Sequence, residues 1–207
     1  MPENLHKLFV ISSPSGGGKT SLINKLFEDS RSANFEKSIS DTSRQKRQGD
    51  LEGKDYYFLS EKKFKDKIKK EEYVEHATVF GNFYGTSKKE IETKYNNSNL
   101  VLELDWQGAY AVKELFDDAM LIFLIPPSLE DLKKRLIKRN LDSSEAIENR
   151  LSEAKKEISK SEMYDYLVLN DDFDRAFEDL SQILFEGISP VDFNSRASKD
   201  LIKRLVE

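Results

Sequence analysis

The chain has 207 residues, of which 34% are charged, with a formal net charge of −5 and no cysteine. That length can bury a sizeable apolar core, and the negative balance excludes a general binder of polyanions, so any anion site must be local. Lack of cysteine excludes disulfides, thiolate chemistry and cysteine-bound metal; neither a basic-then-apolar leader nor an apolar run of the roughly 18 residues that span a membrane is found. The expectation is a cytoplasmic protein with neither nucleic acid nor membrane as partner.

The first element is the apolar run Leu8-Phe9-Val10-Ile11, a strand that enters the loop Ser13-Pro14-Ser15-Gly16-Gly17-Gly18-Lys19-Thr20. A helical pattern at Leu22, Ile23 and Leu26 follows. Consecutive glycines let the backbone turn successive N–H groups inward, and the helix adds its positive N-terminal dipole to the same point, which makes a nest for phosphate. At this spacing Lys19 reaches the β- and γ-phosphates and the Thr20 hydroxyl holds Mg²⁺, as in P-loop nucleotide-binding proteins. Ser15, Gly16, Gly17, Gly18, Lys19, Thr20 and Ser21 are therefore the expected contacts for ATP. Ser13 stands where the motif's first glycine is usual, which leaves the glycines nearest the phosphates in place.

After a turn at Arg31 to Asn34 and a short strand within Phe35 to Ser40, a very polar segment runs from Ser40 to Phe58. Arg44 and Arg47, three apart, can grip one phosphate through several charge-assisted hydrogen bonds, and a tyrosine hydroxyl can add another. Phe64 and Ile68 space a short amphipathic helix over Glu61 to Lys70, and Tyr73 to Val79 alternates like a strand that sets Glu75 on one face. A helix over Lys88 to Tyr95 precedes a strand, Leu100 to Leu104, ending at Asp105, and Met120 to Ile125 is apolar throughout, as in a strand covered on both faces. Functional side chains gather beyond the carboxyl ends of such strands. Three roles stay open for Asp105: ordering a metal-bound water, touching a base, or capping the next helix.

Ser128 starts a helix to Arg139 whose stripe is Leu129, Leu132 and Leu136, with Arg135 and Arg139 as i, i+4 neighbours along its edge. The next helix repeats the arrangement, with Ile147, Leu151, Ala154 and Ile158 as stripe and Arg150 at its margin. Tyr166 to Leu169 reads as the last core strand. Asn170-Asp171-Asp172 then forms a turn and N-cap before a helix from Phe173 to about Phe185. The tail after Gly187 has a weak helical pattern.

The segment from Thr42 to Leu59 resembles the signature of the guanylate kinase family, T-S/T-R-x-x-K/R-x-x-D/E-x-x-G-x-x-Y-x-F/Y, at every fixed position. Tyr73 to Ala77, Phe80 to Thr86, Leu104 to Gly108, Pro126-Pro127-Ser128 and Asn170-Asp171-Asp172 are similar to family segments in the same order. Departures are Lys46 for a common proline, Glu103 for a usual aspartate and Asn140 for a frequent glycine. The resemblance implies a P-loop α/β fold, a parallel sheet flanked by helices, carrying an inserted GMP-binding region and a helical lid. It also implies transfer of the γ-phosphoryl group of Mg·ATP to GMP, and to dGMP. Arg44, Arg47 and Tyr56 would hold the GMP phosphate. Glu75, a pure acceptor, would read guanine's N1–H and amino group, where adenine offers an acceptor. Ser40 and Thr86 would donate to guanine O6, and Tyr84, Gly85 and Asp105 would complete that side. Asn170 would join the ATP contacts, and Thr20, with Asp105 through water, would serve Mg²⁺.

The expected division of the single domain is a core of residues 1–35, 91–127 and 161–207, a GMP-binding region 36–90 and a lid 128–160. Lys19, Arg44, Arg135, Arg139 and Arg150 are the expected catalytic cations; the attacking phosphate oxygen is already anionic, so no general base is needed. Two rivals keep the fold but not the reaction. One is a guanylate-kinase-like interaction module, against which the complete Gly18-Lys19-Thr20 argues; the other is a kinase for a different small phosphate, against which Glu75 with Thr86 argues.

Overall fold

The computed structural model describes residues 6–47, 49–79, 81–138, 144–187 and 196–207. In chain order its elements are β1 (Leu8–Ser12), α1 (Lys19–Glu28), β2 (Phe35–Lys37), β3 (Asp41–Thr42), β4 (Tyr57–Phe58), α2 (Glu61–Lys69), β5 (Tyr73–Val79), β6 (Asn82–Ser87) and α3 (Lys88–Tyr95). Then come β7 (Asn99–Glu103), α4 (Trp106–Leu115), β8 (Met120–Ile125), α5 (Leu129–Lys138), α6 (Ser144–Ser159), β9 (Tyr166–Leu169), α7 (Phe173–Ser181) and α8 (Arg196–Val206). The strand expected within Phe35 to Ser40 stops at Lys37. The helix expected to run to Phe185 changes at Gln182 to a π-helical turn through Glu186, closed by Gly187 at φ 67°. The chain forms two compact units, each containing parallel strands with helices packed on them.

One unit comprises Phe9–Ala33, Glu103–Trp106 and Met120–Glu207. Here β8 is the middle strand. It pairs parallel with β1, Val10 opposite Leu121, and with β9, Phe123 opposite Leu167. Both β1 and β8 are buried along nearly their whole length, which is why their sequences are apolar without alternation. The stripe of α1, Leu22, Ile23 and Leu26, is buried, as are Leu132 and Leu136 of α5 and Ala154 and Ile158 of α6. Asp172 caps α7 by accepting from the N–H groups of Asp174 and Arg175. The weak pattern at the chain's end is realised as α8, which packs on α6 and buries Ile202 and Leu205.

The other unit comprises Met1–Leu8, Asn34–Leu102 and Gln107–Ala119. Its parallel pair is β2 with β7, Glu36 opposite Leu100. A second sheet runs in the order β4-β3-β6-β5, with β5 and β6 antiparallel and a register irregularity between Tyr73 and Glu75. Phe64 of α2 is fully buried and stacks on Tyr73 and Phe83, with ring centroids 4.6 and 5.4 Å away. Ser60 and Ser87 cap α2 and α3 through their side-chain oxygens, so both helices begin where polar residues meet the periodic pattern.

Candidate active site

The loop after β1 has the geometry its glycines predict. Gly16 and Gly18 stand at φ 86° and 90°, a region that side-chain-bearing residues rarely adopt, and Gly18 is the N-cap of α1. The N–H of Gly17 donates to the Pro14 carbonyl at 2.8 Å, closing the turn. Asn170, buried at the end of β9, donates its side-chain amide to the Gly17 carbonyl at 2.7 Å. A Cβ at Gly18 would lie 2.4 Å from that amide nitrogen, so a larger residue would displace the Asn170 amide besides straining φ. Asn170 thus acts on the loop itself, a role that its position in a turn after a strand did not announce.

Lys19 Nζ donates to the Leu104 carbonyl at 2.8 Å, and Thr20 Oγ1 donates to Glu103 Oε1 at 2.5 Å. A hydroxyl beside a carboxylate is a hard oxygen set that suits Mg²⁺, which takes few protein ligands and keeps water and phosphate oxygens for the rest. Among the described residues no group of three or more His, Cys, Asp or Glu could hold a metal ion. Asp105 belongs to the same unit; its backbone carbonyl accepts from Ser12 Oγ at 3.4 Å.

Beside the loop lies a cleft of about 600 Å³ lined by Gly16, Gly18, Ser21, Arg135, Asn170 and Phe173, among others. Arg135 donates from Nη2 to the Asn170 carbonyl at 2.8 Å, which holds the guanidinium at the cleft wall. On α6, Arg150 donates from Nη1 to Ser15 Oγ at 3.3 Å. Arg139 lies outside the described residues. Glu157 also belongs to this cluster, and sequence reasoning missed it. Burial, with Asp105 and Glu153 adding repulsion, raises its carboxyl to about 7, against the pull of Lys19 and the Ser15 N–H. Its spacing from Arg150, close to two helical turns, was the available signal.

The expected GMP side gathers in the other unit. Glu75 on β5 stands opposite Thr86 on β6, and Thr86 Oγ1 donates to Glu75 Oε1 at 2.7 Å. Thr86 is wholly buried, and Ser40 Oγ lies 3.4 Å from its hydroxyl oxygen. The Thr86 hydroxyl thus orients the Glu75 carboxylate. Gly85 is buried beside them, and a Cβ there would stand 3.0 Å from the Glu75 carbonyl oxygen, so a larger residue would press on the opposed strand.

Arg44 donates from Nη2 to Asp50 Oδ2 at 2.9 Å and lies over the rings of Tyr56 and Phe58, 5.4 and 5.6 Å from their centroids. Tyr56 meets Tyr84 edge to face at 5.7 Å. The Arg47 backbone N–H donates to the same Asp50 oxygen at 2.7 Å while its side chain is exposed. That bond, then Arg44, holds the Asp50 carboxyl below the usual carboxylate range. Asp50 is thus the organiser of the arginine loop, legible only as one acidic position of the signature. In the same unit the buried Asp41 accepts from Lys67 and from the Tyr73 hydroxyl, the latter at 2.8 Å. Burial and then Asp41 raise the Tyr73 hydroxyl well above its ordinary value, which keeps it a donor.

The family model described as Guanylate kinase matches residues 5–187, leaving α8 outside the match. Guanylate kinase of Wolbachia sp. subsp. Brugia malayi is 46% identical over 184 residues, covering 88% of this chain and 93% of its own. That of Coxiella burnetii is 42% identical over 205 residues, covering 99% and 98%. The crystal structure of guanylate kinase from Anaplasma phagocytophilum superposes with a TM-score of 0.70 at 34% identity, covering 99% of this chain and 98% of that one.

Proposed function

The chain belongs to the guanylate kinase family, and on that premise we propose that it transfers the γ-phosphoryl group of ATP to GMP, and to dGMP, giving ADP and GDP. The loop of Ser15 to Ser21 receives the ATP phosphates on backbone N–H groups and Lys19, with the nucleoside in the cleft walled by Arg135, Asn170 and Phe173. Thr20, backed by Glu103, and Asp105 through water are the residues that would hold Mg²⁺, which when bound neutralises charge on the β- and γ-oxygens. Arg44, Arg47 and Tyr56 hold the GMP phosphate, and Glu75, Ser40, Thr86, Tyr84 and Gly85 form the base side. Residues 128–160 act as lid, 36–90 as GMP region and the remainder as core. Lys19, Arg44, Arg135, Arg139 and Arg150 stabilise the charge spread over the transferring group.

The observation that carries the choice of GMP is Glu75 held by Thr86. The carboxylate offers two oxygens that only accept, one of them fixed by a buried hydroxyl, and guanine alone among the common bases would present N1–H and an exocyclic amino group together to such an acceptor. A site built to hydrogen-bond a donor edge rejects analogues that leave it unpaired. A coupled assay of ADP release with GMP, dGMP, AMP, UMP and CMP tests the reading. Turnover with GMP and dGMP alone is expected; comparable turnover with AMP would assign the chain to another small phosphate, and none with any acceptor would favour a binding module.

A further inference from the structure

Behind the residues read as the base side lies a second polar cluster that the phosphoryl transfer does not use. Thr86 on β6 stands opposite Glu75 on β5, with its hydroxyl oxygen 3.4 Å from that of Ser40. One position along, Gly85 stands opposite His76 on one side and Asp41 of β3 on the other. Side chains alternate along a strand, so Ser40, Thr86 and Glu75 share one face of the sheet, while Asp41 and His76 flank Gly85 on the other. By parity Tyr73 would join Glu75. The register irregularity between them, two steps of β5 against one of β6, turns Tyr73 to the face of Asp41, as a bulge re-aims a side chain. There its hydroxyl donates to Asp41 at 2.8 Å, across the intervening β6. The ring passes over Gly85, where a Cβ would stand 3.0 Å from Tyr73 Cδ1. Asp41 also accepts from Lys67 of α2, whose ammonium lies 4.9 Å from the centre of the Tyr73 ring.

Asp41 and Tyr73 are both buried, and a buried carboxylate that lost either donor would keep its desolvation cost, so the three groups hold one another in place. Strand β3 is two residues long, which gives it a short ladder to β6 and leaves much of its placement to side-chain bonds. We propose, resting on the reading of Ser40, Thr86 and Glu75 as the base side, that Asp41, Tyr73 and Lys67 are positioning residues. They form a clamp that fixes the spacing of β3 and β5 and thereby the aim of Ser40 and Glu75 at the base. Each reader has a clamp residue close by in its own strand segment: Asp41 follows Ser40, and Tyr73 lies two before Glu75. Discrimination among bases is thus set from the face of the sheet opposite to the one that meets the nucleotide.

The test is calorimetric binding of GMP and of inosine monophosphate, which lacks the exocyclic amino group, to the full chain and to Tyr73→Phe. ADP serves as the control ligand, and melting of the free proteins checks folding. The substitution keeps the ring against Phe64 and Gly85 and removes only the donor. GMP affinity is expected to fall about fivefold and inosine monophosphate affinity by less, so that the preference for GMP narrows while ADP affinity holds. A merely structural role would lower the melting temperature and leave the ratio of the two affinities where it was. An unchanged ratio in folded Tyr73→Phe, or an equal loss for ADP, overturns the proposal. If Tyr73→Phe does not fold, Asp41→Asn is read by the same criteria. Failure of the unaltered chain to prefer GMP over inosine monophosphate would remove the reading of the base side and this inference with it, whereas a normal preference untouched by the substitution removes the inference alone.

Discussion

Thr86 donates its hydroxyl to Glu75 at 2.7 Å from the directly opposed position of the neighbouring strand, and is itself completely buried. On the proposed reading the pair is a two-residue device in which Glu75 meets the nucleotide and Thr86 fixes its rotamer. Thr86→Val, which keeps the shape and deletes the donor, is expected to raise KM for GMP by about tenfold, the scale of one lost hydrogen bond to a charged group, with a smaller effect on kcat. Glu75→Gln is expected to weaken GMP further and to narrow the preference over AMP, because the amide presents a donor to a donor edge. Initial rates over a GMP and an AMP series check both; an unchanged KM in Thr86→Val would show that the carboxylate needs no such support.

Lys19 spans to the far strand end, where its ammonium rests on the Leu104 carbonyl. Its charge gains most when negative charge spreads over the transferring group. Lys19→Ala is therefore expected to lose turnover by about 10²–10³ or more while the melting temperature changes little. Near-normal turnover in a folded variant would remove the loop from the mechanism.

Arg150 is tied to the phosphate loop, whereas Arg44 and Arg47 belong to the arginine loop organised by Asp50. Arg150→Ala is expected to lower kcat by at least about tenfold and to leave GMP affinity within about twofold, the signature of an interaction realised in the transition state. A lower melting temperature with unaltered kcat would instead make the residue structural.

The Glu157 carboxyl is raised by burial from 4.5 to about 7. The folded state therefore holds this proton more tightly than the unfolded chain, so its contribution to stability is complete below pH 4.5 and is lost as pH rises through about 7. Glu157→Gln, permanently neutral, is expected to melt higher than the unaltered protein at pH 8 and alike at pH 5. Thermal scans at the two pH values measure the difference, and an equal shift at both would show that the carboxyl does not titrate across this window.

Asn170 ties the end of β9 to the Gly17 carbonyl. Asn170→Ala leaves that buried carbonyl without its donor, at a cost of about 1–3 kcal/mol. Lower stability together with weaker ADP binding is the expected pair of effects, measured by denaturant unfolding and calorimetry. Loss of stability with intact ADP affinity would mean that the loop keeps its shape unaided.

Local chemistry alone decided much of this protein. The run Leu8 to Ile11 followed by glycines and Lys19-Thr20, the apolar Met120 to Ile125, and the aspartate cap of α7 act over one strand or one helical turn. Their geometry is fixed by neighbours in the chain, and each appeared where the pattern placed it. The spacing of Arg44, Arg47 and Tyr56 is likewise a local pattern, and the role proposed for it came from the family resemblance. What remained hidden were partners brought together across long separations: Thr20 with Glu103 at 83 positions, Asn170 with Gly17 at 153, and Asp41 with Tyr73 at 32. No period or motif encodes such pairs, because their energy depends on distance in space and on burial, which exist only once the sheets have formed. Asn170 shows the division most plainly: its place after a strand was readable, but the strand pairing that delivers its amide to Gly17 made it a support of the phosphate loop.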